Sequence, residues 1–255
     1  MWQNLYETDR AFPNSHMILS AALALSIAQP TVIVVGDTVV AEKTAKGWRS
    51  PEKNLHRQKV SLMSWRLDST VAGFDGEIEY DEGPPMESVH IKGIELPDKD
   101  ILSVSGNPKF APVTRISPEN PEYKKIAVEY GKSRGRKAVP GIEAGFLADL
   151  DGDGRQEALL VIATDASVKK ETGFCAIVLR HMSGKKVVTT TLEFNGTWGY
   201  MRGPYRGRVY GVGDFDGNGT REFIYTFEDP WGTDTKLKQF KNGKVKNLCT
   251  TAWGE

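Results

Sequence analysis

Two nine-residue strings constrain this chain more than anything else in it. Asp149-Leu-Asp-Gly-Asp-Gly-Arg-Gln-Glu157 and Asp214-Phe-Asp-Gly-Asn-Gly-Thr-Arg-Glu222 both read D-x-D-G-[DN]-G-x-x-E, and their first aspartates lie 65 residues apart. Oxygen-bearing side chains at positions 1, 3, 5 and 9, with glycines at 4 and 6, let a short backbone wrap one hard cation. Calcium takes several oxygen ligands at once, and glycine supplies the positive φ angles that so tight a loop needs. An EF-hand is excluded: its bidentate Glu belongs at position 12, where this chain has Leu160 and Tyr225. The apolar runs that follow, Ala158 to Ala163 and Phe223 to Phe227, have the length and composition of buried strands. The expected setting is strand–loop–strand.

Each copy continues alike. After the first loop and its strand come a polar stretch from Thr164 to Gly173, an apolar run from Phe174 to Leu179, a turn at Ser183-Gly184 and a Val/Thr-rich run from Val187 to Leu192. After the second comes Glu228 to Asp234, and then two strand-like runs, Lys236–Phe240 and Lys244–Leu248, bracket Asn242-Gly243, a strong hairpin signal. Upstream, Ile142 to Ala148 and Arg208 to Gly213 supply a strand leading into each loop. Each unit reads as a four-strand meander with its acidic loop between strands one and two.

On these motifs, residues 140–255 resemble the FG-GAP or VCBS type of calcium-loop repeat, the blade of integrin α-chain propellers and of many secreted bacterial proteins. A short helix followed by two repeats is similar to a group of uncharacterised secreted bacterial proteins. The resemblance implies calcium bound by Asp149, Asp151, Asp153 and Glu157 with the carbonyl of Arg155, and by Asp214, Asp216, Asn218 and Glu222 with the carbonyl of Thr220. It implies about two calcium sites and no enzymatic activity. The Phe-Gly and Gly-Ala-Pro phrases that name the family are missing, and propellers need four to eight blades, so a pair of packed sheets, partial-propeller-like, is expected instead of a closed ring.

The rest of the chain divides around these units. Residues 1–28 read as a signal peptide: Ile18 to Ala28 is too short to span a bilayer and ends Ser26-Ile-Ala28, small residues suited to cleavage before Gln29. Its charged flank is poor, offering only Arg10, and Met17 is an alternative start. The expected location is secreted or periplasmic, with no transmembrane segment in the mature protein. Residues 29–118 carry strand signals: β-branched Thr31 to Val35, alternation at Met63, Trp65 and Leu67 and at Val89 and Ile91, and a turn at Asp81 to Pro85. A small antiparallel β-domain is expected there. Residues 119–139 form a linker helix, with Asn120 as N-cap, Pro121 first, and Tyr123, Ile126, Ala127 and Tyr130 on one face, ending near Gly135. The fold class is mainly β: this small domain, the helix, and two meander units at 140–195 and 205–255.

Catalytic motifs fail on context. Gly131-Lys-Ser-Arg-Gly135 matches the G-x-S-x-G nucleophile elbow, but that elbow follows a strand, whereas Ser133 ends a helix. The four histidines, His16, His56, His90 and His181, have no zinc spacing. The two cysteines, Cys175 and Cys249, exclude C-x-x-C chemistry and leave open either a disulfide between the units or buried free thiols. Lysine plus arginine balance aspartate plus glutamate at 33 each, so no global field draws nucleic acid. Six basic against two acidic residues over 121–139 read as a solvated face. The connector 195–213 mixes Trp198, Tyr200, Tyr205 and Tyr210 with Arg202, Arg206 and Arg208, best read as filling between sheets, with stacking on sugar rings or bases the alternative. The expectation is an exported calcium-binding scaffold or binding protein with no catalytic residues, meeting an unidentified protein or glycan. The alternative is a calcium-dependent hydrolase or lyase acting on extracellular polymer.

Overall fold

The structure, a computed structural model, describes residues 30–66, 69–81, 88–92, 101–165, 173–196, 206–229 and 232–254. The expected signal segment 1–28, Leu67, most of the turn at 81–85, and Trp198, Tyr200, Arg202 and Tyr205 of the connector lie outside them.

Among the described residues the chain is mainly β, with one α-helix. Strands β1 (Val32–Val35), β2 (Thr38–Thr44), β3 (Gly47–Arg49), β4 (Lys59–Arg66), β5 (Ser69–Asp81), β6 (Ser88–Lys92) and β7 (Leu102–Ser105) form one antiparallel sheet in the order β1-β7-β4-β5-β6-β2-β3. β1 also pairs with β2, so the sheet curls around Val32, Val34, Val39, Leu55, Val60, Leu62 and Ile78. The inward face of β4 is Val60, Leu62 and Ser64; Met63 is exposed, contrary to the alternation expected at Met63 and Trp65. Trp65 instead stacks on Phe110 at 4.6 Å, because the outside of this sheet is also covered.

Two short strands follow, β8 (Lys109–Phe110) and β9 (Thr114–Arg115), and then helix α1 (Pro121–Ser133). The Asn120 side chain accepts from the amides of Glu122 and Tyr123, with Pro121 in the first turn, so the cap forms as its residues dictate. The first meander is β10 (Pro140–Ala148), β11 (Glu157–Thr164), β12 (Cys175–Ser183) and β13 (Lys186–Asn195). The second is β14 (Arg206–Asp214), β15 (Glu222–Asp229), β16 (Gly232–Lys241) and β17 (Lys244–Gly254). Asn242 and Gly243 both take positive φ in the β16–β17 turn, as a two-residue hairpin of this kind requires. The β12–β13 turn falls at Gly184-Lys185, one residue beyond the expected place.

The segment between the curled sheet and α1 ties the two meanders together. β8 pairs with β14 and β9 with β10, giving each meander a fifth strand. Residues 109–115, assigned from sequence to the N-terminal β-domain, therefore complete the sheets of the repeats.

The layers stack in the order α1, first meander, second meander, curled sheet. Ile126, Ala127 and Tyr130 of α1 pack on Ile142, Leu160, Ile162 and Val178. The opposite face of that sheet, Phe146, Leu159, Val161, Ile177 and Leu179, meets Val209, Val212, Phe223 and Tyr225 of the second. The far face of the second, with Tyr210, Phe215, Ile224 and Leu237, meets Ile33, Val40, Trp48, Leu102 and Val104 of the curled sheet. Both meanders are covered on both faces, which is why their central strands read as continuous apolar runs. Two repeats suffice because unlike elements cap each end of the stack.

Candidate metal centre

Both acidic loops project from the same end of their meanders, between strands one and two. Four of their hydrogen bonds match position for position, while a fifth, Gly152 N to Asp149 Oδ1 at 2.7 Å, has no counterpart at Asp214 Oδ1. The position-9 glutamate reaches back to the amide of position 2: Leu150 N donates to Glu157 Oε2 at 2.8 Å, and Phe215 N to Glu222 Oε2 at 3.0 Å. Position 1 accepts from the second glycine, Gly154 N to Asp149 Oδ2 at 3.1 Å and Gly219 N to Asp214 Oδ2 at 2.9 Å. The amides of Asp153 and Asn218 donate to Asp151 and Asp216 Oδ1, both at 3.2 Å. Those of Arg155 and Thr220 donate to Asp153 and Asn218 Oδ1, at 2.8 and 2.7 Å. Gly152, Gly154, Gly217 and Gly219 have φ of 78°, 85°, 73° and 82°, the left-handed region where a side chain is strained. At position 2, Leu150 and Phe215 are fully buried and anchor the loops to the cores beneath.

This folding concentrates negative charge. Asp149, Asp151 and Asp153 bring one oxygen each within 4.8 Å of one another, as do Asp214, Asp216 and Glu222. Glu157 stands outside the first group and holds the Leu150 amide. Burial pushes the Glu157 carboxyl up to about 7, with Asp151, Asp153 and Asp149 adding to it against the Leu150 hydrogen bond. Burial pushes Glu222 further, to about 8, with help from Asp216 and Asp214. Burial also opposes ionisation of Asp149, but the Gly154 and Gly152 amides and the Arg221 guanidinium together hold it below the ordinary carboxylate value.

The second loop buries its carboxylates most deeply. Asp214 is 6 % exposed and Glu222 1 %, yet Asp214 Oδ1 and Glu222 Oε1 have no hydrogen-bond partner. Buried carboxylate oxygens are costly unless paired or bound to a cation, and an all-oxygen donor set of this charge fits a hard dication. Asn218 and Thr220, like Arg155 in the first loop, keep the expected places in the turn.

Two basic residues that sequence reasoning missed complete the neighbourhood. Arg221 reaches from the second loop to Asp149, with Nη1 at 2.9 Å from Oδ2 and donating to the Asp149 carbonyl. Lys43 of β2 pairs with Asp216 Oδ2. Arg221 adjoins the motif and could have been noticed; Lys43 lies 173 residues from its partner and has no local signal.

Other sequence candidates resolve without chemistry. Ser133 Oγ donates to the Tyr130 carbonyl at 2.7 Å on the helix end. His56 Nδ1 accepts from the Tyr80 amide, and His181 packs on Phe240. Cys175 and Cys249 are free and buried, which corrects the disulfide alternative: they lie in cores on opposite faces of the second meander. On α1, Lys124 and Lys125 pair with Glu119 and Glu129. No described helix is long and apolar enough to cross a membrane. The chain matches no protein-family model, no curated protein and no solved structure.

Proposed function

We propose that this protein is an exported calcium-binding module with structural calcium in both D-x-D-G-[DN]-G-x-x-E loops, serving as a non-catalytic scaffold or binding protein for a protein or glycan partner. The observation that carries the metal assignment is the pair of buried, unpartnered oxygens, Asp214 Oδ1 and Glu222 Oε1, that face the same acidic loop. Asp149, Asp151, Asp153 and Glu157 would hold one ion, and Asp214, Asp216, Asn218 and Glu222 the other, with the Arg155 and Thr220 carbonyls completing the sets. Bound calcium would neutralise carboxylates that otherwise repel one another and so fix the turn that registers strands one and two. Stacked sheets with both faces covered leave their loops and edges to meet a partner, a scaffold's geometry.

Calorimetric titration of metal-free protein tests the reading. Two calcium sites are expected, one lost in Asp151→Ala and the other in Asp216→Ala, with magnesium weaker because it demands a tighter octahedral shell. The first loop, with four carboxylates against three, should bind more tightly. Absence of calcium heat, together with an unchanged melting temperature, would overturn the assignment. Export is tested by the N-terminus of protein recovered from its host, expected at or near Gln29.

A further inference from the structure

Each acidic loop is met by one basic side chain from the neighbouring layer, and the two are met on different oxygens. Arg221 grips Asp149 Oδ2, the oxygen that already takes the Gly154 amide. Its counterpart in the second loop, Asp214 Oδ2, takes the Gly219 amide, while Asp214 Oδ1 is left without a partner. Arg221 thus shares an oxygen that the turn already uses. Lys43 does the reverse. In Asp216 the turn uses Oδ1, which accepts from Asn218, and Lys43 sits on Oδ2, the oxygen that the loop itself leaves free. Asp216 itself belongs to the group formed with Asp214 and Glu222. The Asp216 side chain is 4 % exposed, so the ammonium on it is poorly screened by water.

We propose that Lys43 is a built-in competitor of the metal at the second loop: its ammonium holds a donor oxygen in the metal-free protein and must leave when a dication binds. The proposal rests on the calcium reading of that loop. An ammonium and a dication on one carboxylate repel each other strongly where water is excluded. The ammonium already lies over the ring of its cross-strand neighbour Trp48, 5.3 Å from the centroid, a contact it can keep on leaving Asp216. Only the side chain has to swing, while β2 stays paired. Metal binding thus exchanges a polar clip between the curled sheet and the second meander for a cation within the loop. Removing Lys43 should tighten the second site.

The test uses the full chain with Asp151→Ala, which isolates the second site, compared with the same protein carrying Lys43→Met, which keeps the apolar stem without the charge. Calcium should bind about tenfold more tightly in the Lys43→Met protein, a difference of about 1.4 kcal/mol. Equal or weaker binding overturns the proposal and leaves the calcium reading standing. Binding by neither protein removes the calcium reading of this loop, and the proposal with it. A second measurement needs no variant. Acetylation by an N-hydroxysuccinimide ester, mapped by mass spectrometry on the wild type, should rise several-fold at Lys43 on adding calcium and stay level at Lys236, which pairs with Glu193. An unchanged Lys43 in protein that calorimetry shows to be loaded overturns the displacement.

Discussion

Glu222→Gln should stabilise the metal-free protein and at the same time blunt its response to calcium. Burial is the main reason the Glu222 carboxyl is pushed from 4.5 up to about 8, with the Asp216 and Asp214 charges adding and the Phe215 amide and Lys43 subtracting. In the unfolded chain this glutamate is ionised above pH 4.5, whereas the folded, metal-free protein keeps its proton up to about 8. The folded state therefore binds more protons in that window, and stability falls as pH rises through it. Each pH unit is worth about 1.4 kcal/mol, so at pH 7 the loss is on the order of 3 kcal/mol. Glutamine has no proton to lose, and its carbonyl can still accept from Phe215. In chelator at pH 7 the variant should melt roughly 6–12 °C above wild type, at about 2–4 °C per kcal/mol for a chain of this size. The gain should shrink to near nothing below about pH 4, where both states of the wild type hold the proton. In calcium the order should narrow or reverse, because the variant has lost a ligand's negative charge and the wild type gains RT ln(1 + [Ca]/Kd), about 2.7 kcal/mol at one hundred times Kd. A Glu222→Gln protein that melts below wild type in chelator at pH 7 refutes the reasoning.

The same carboxyls predict proton release. With Glu157 at about 7 and Glu222 at about 8 before metal binds, calcium at pH 7 should expel roughly one proton or slightly more, and affinity should rise between pH 6 and 8. Calorimetry in buffers of different ionisation enthalpy measures this directly. Gly213→Ala should destabilise by about 1–3 kcal/mol in urea, since a Cβ there would stand 2.8 Å from the Lys109 carbonyl, backbone that cannot yield without opening the β8–β14 pairing. Asn120→Ala should cost about 1 kcal/mol, the usual loss for a side chain that caps two helix amides, and circular dichroism melts would register it.

Whatever depended on neighbours in the chain was legible in the sequence. The two loops, their glycines at positive φ, the strands on either side of them, the Asn120 cap and the Asn242-Gly243 turn all formed as their residues indicate, because each is decided by hydrogen bonds and backbone freedom within a few residues. The face that each strand presents was not legible throughout. In β10, Ile142 faces α1 while Ala144, Phe146 and Ala148 face the second meander, because a register shift between Ile142 and Ala144 reverses the alternation. A shift between Val209 and Gly211 does the same in β14, leaving Val209 and Val212 on one side and Tyr210 on the other. A period of two cannot announce its own interruption. The crossing of β8 and β9 to the two repeat sheets, the capping of the stack by the curled sheet, the separation of Cys175 from Cys249, and the arrival of Lys43 at Asp216 belong to tertiary structure alone. They join residues far apart in sequence, and only the packing of whole layers brings such groups within reach of one another.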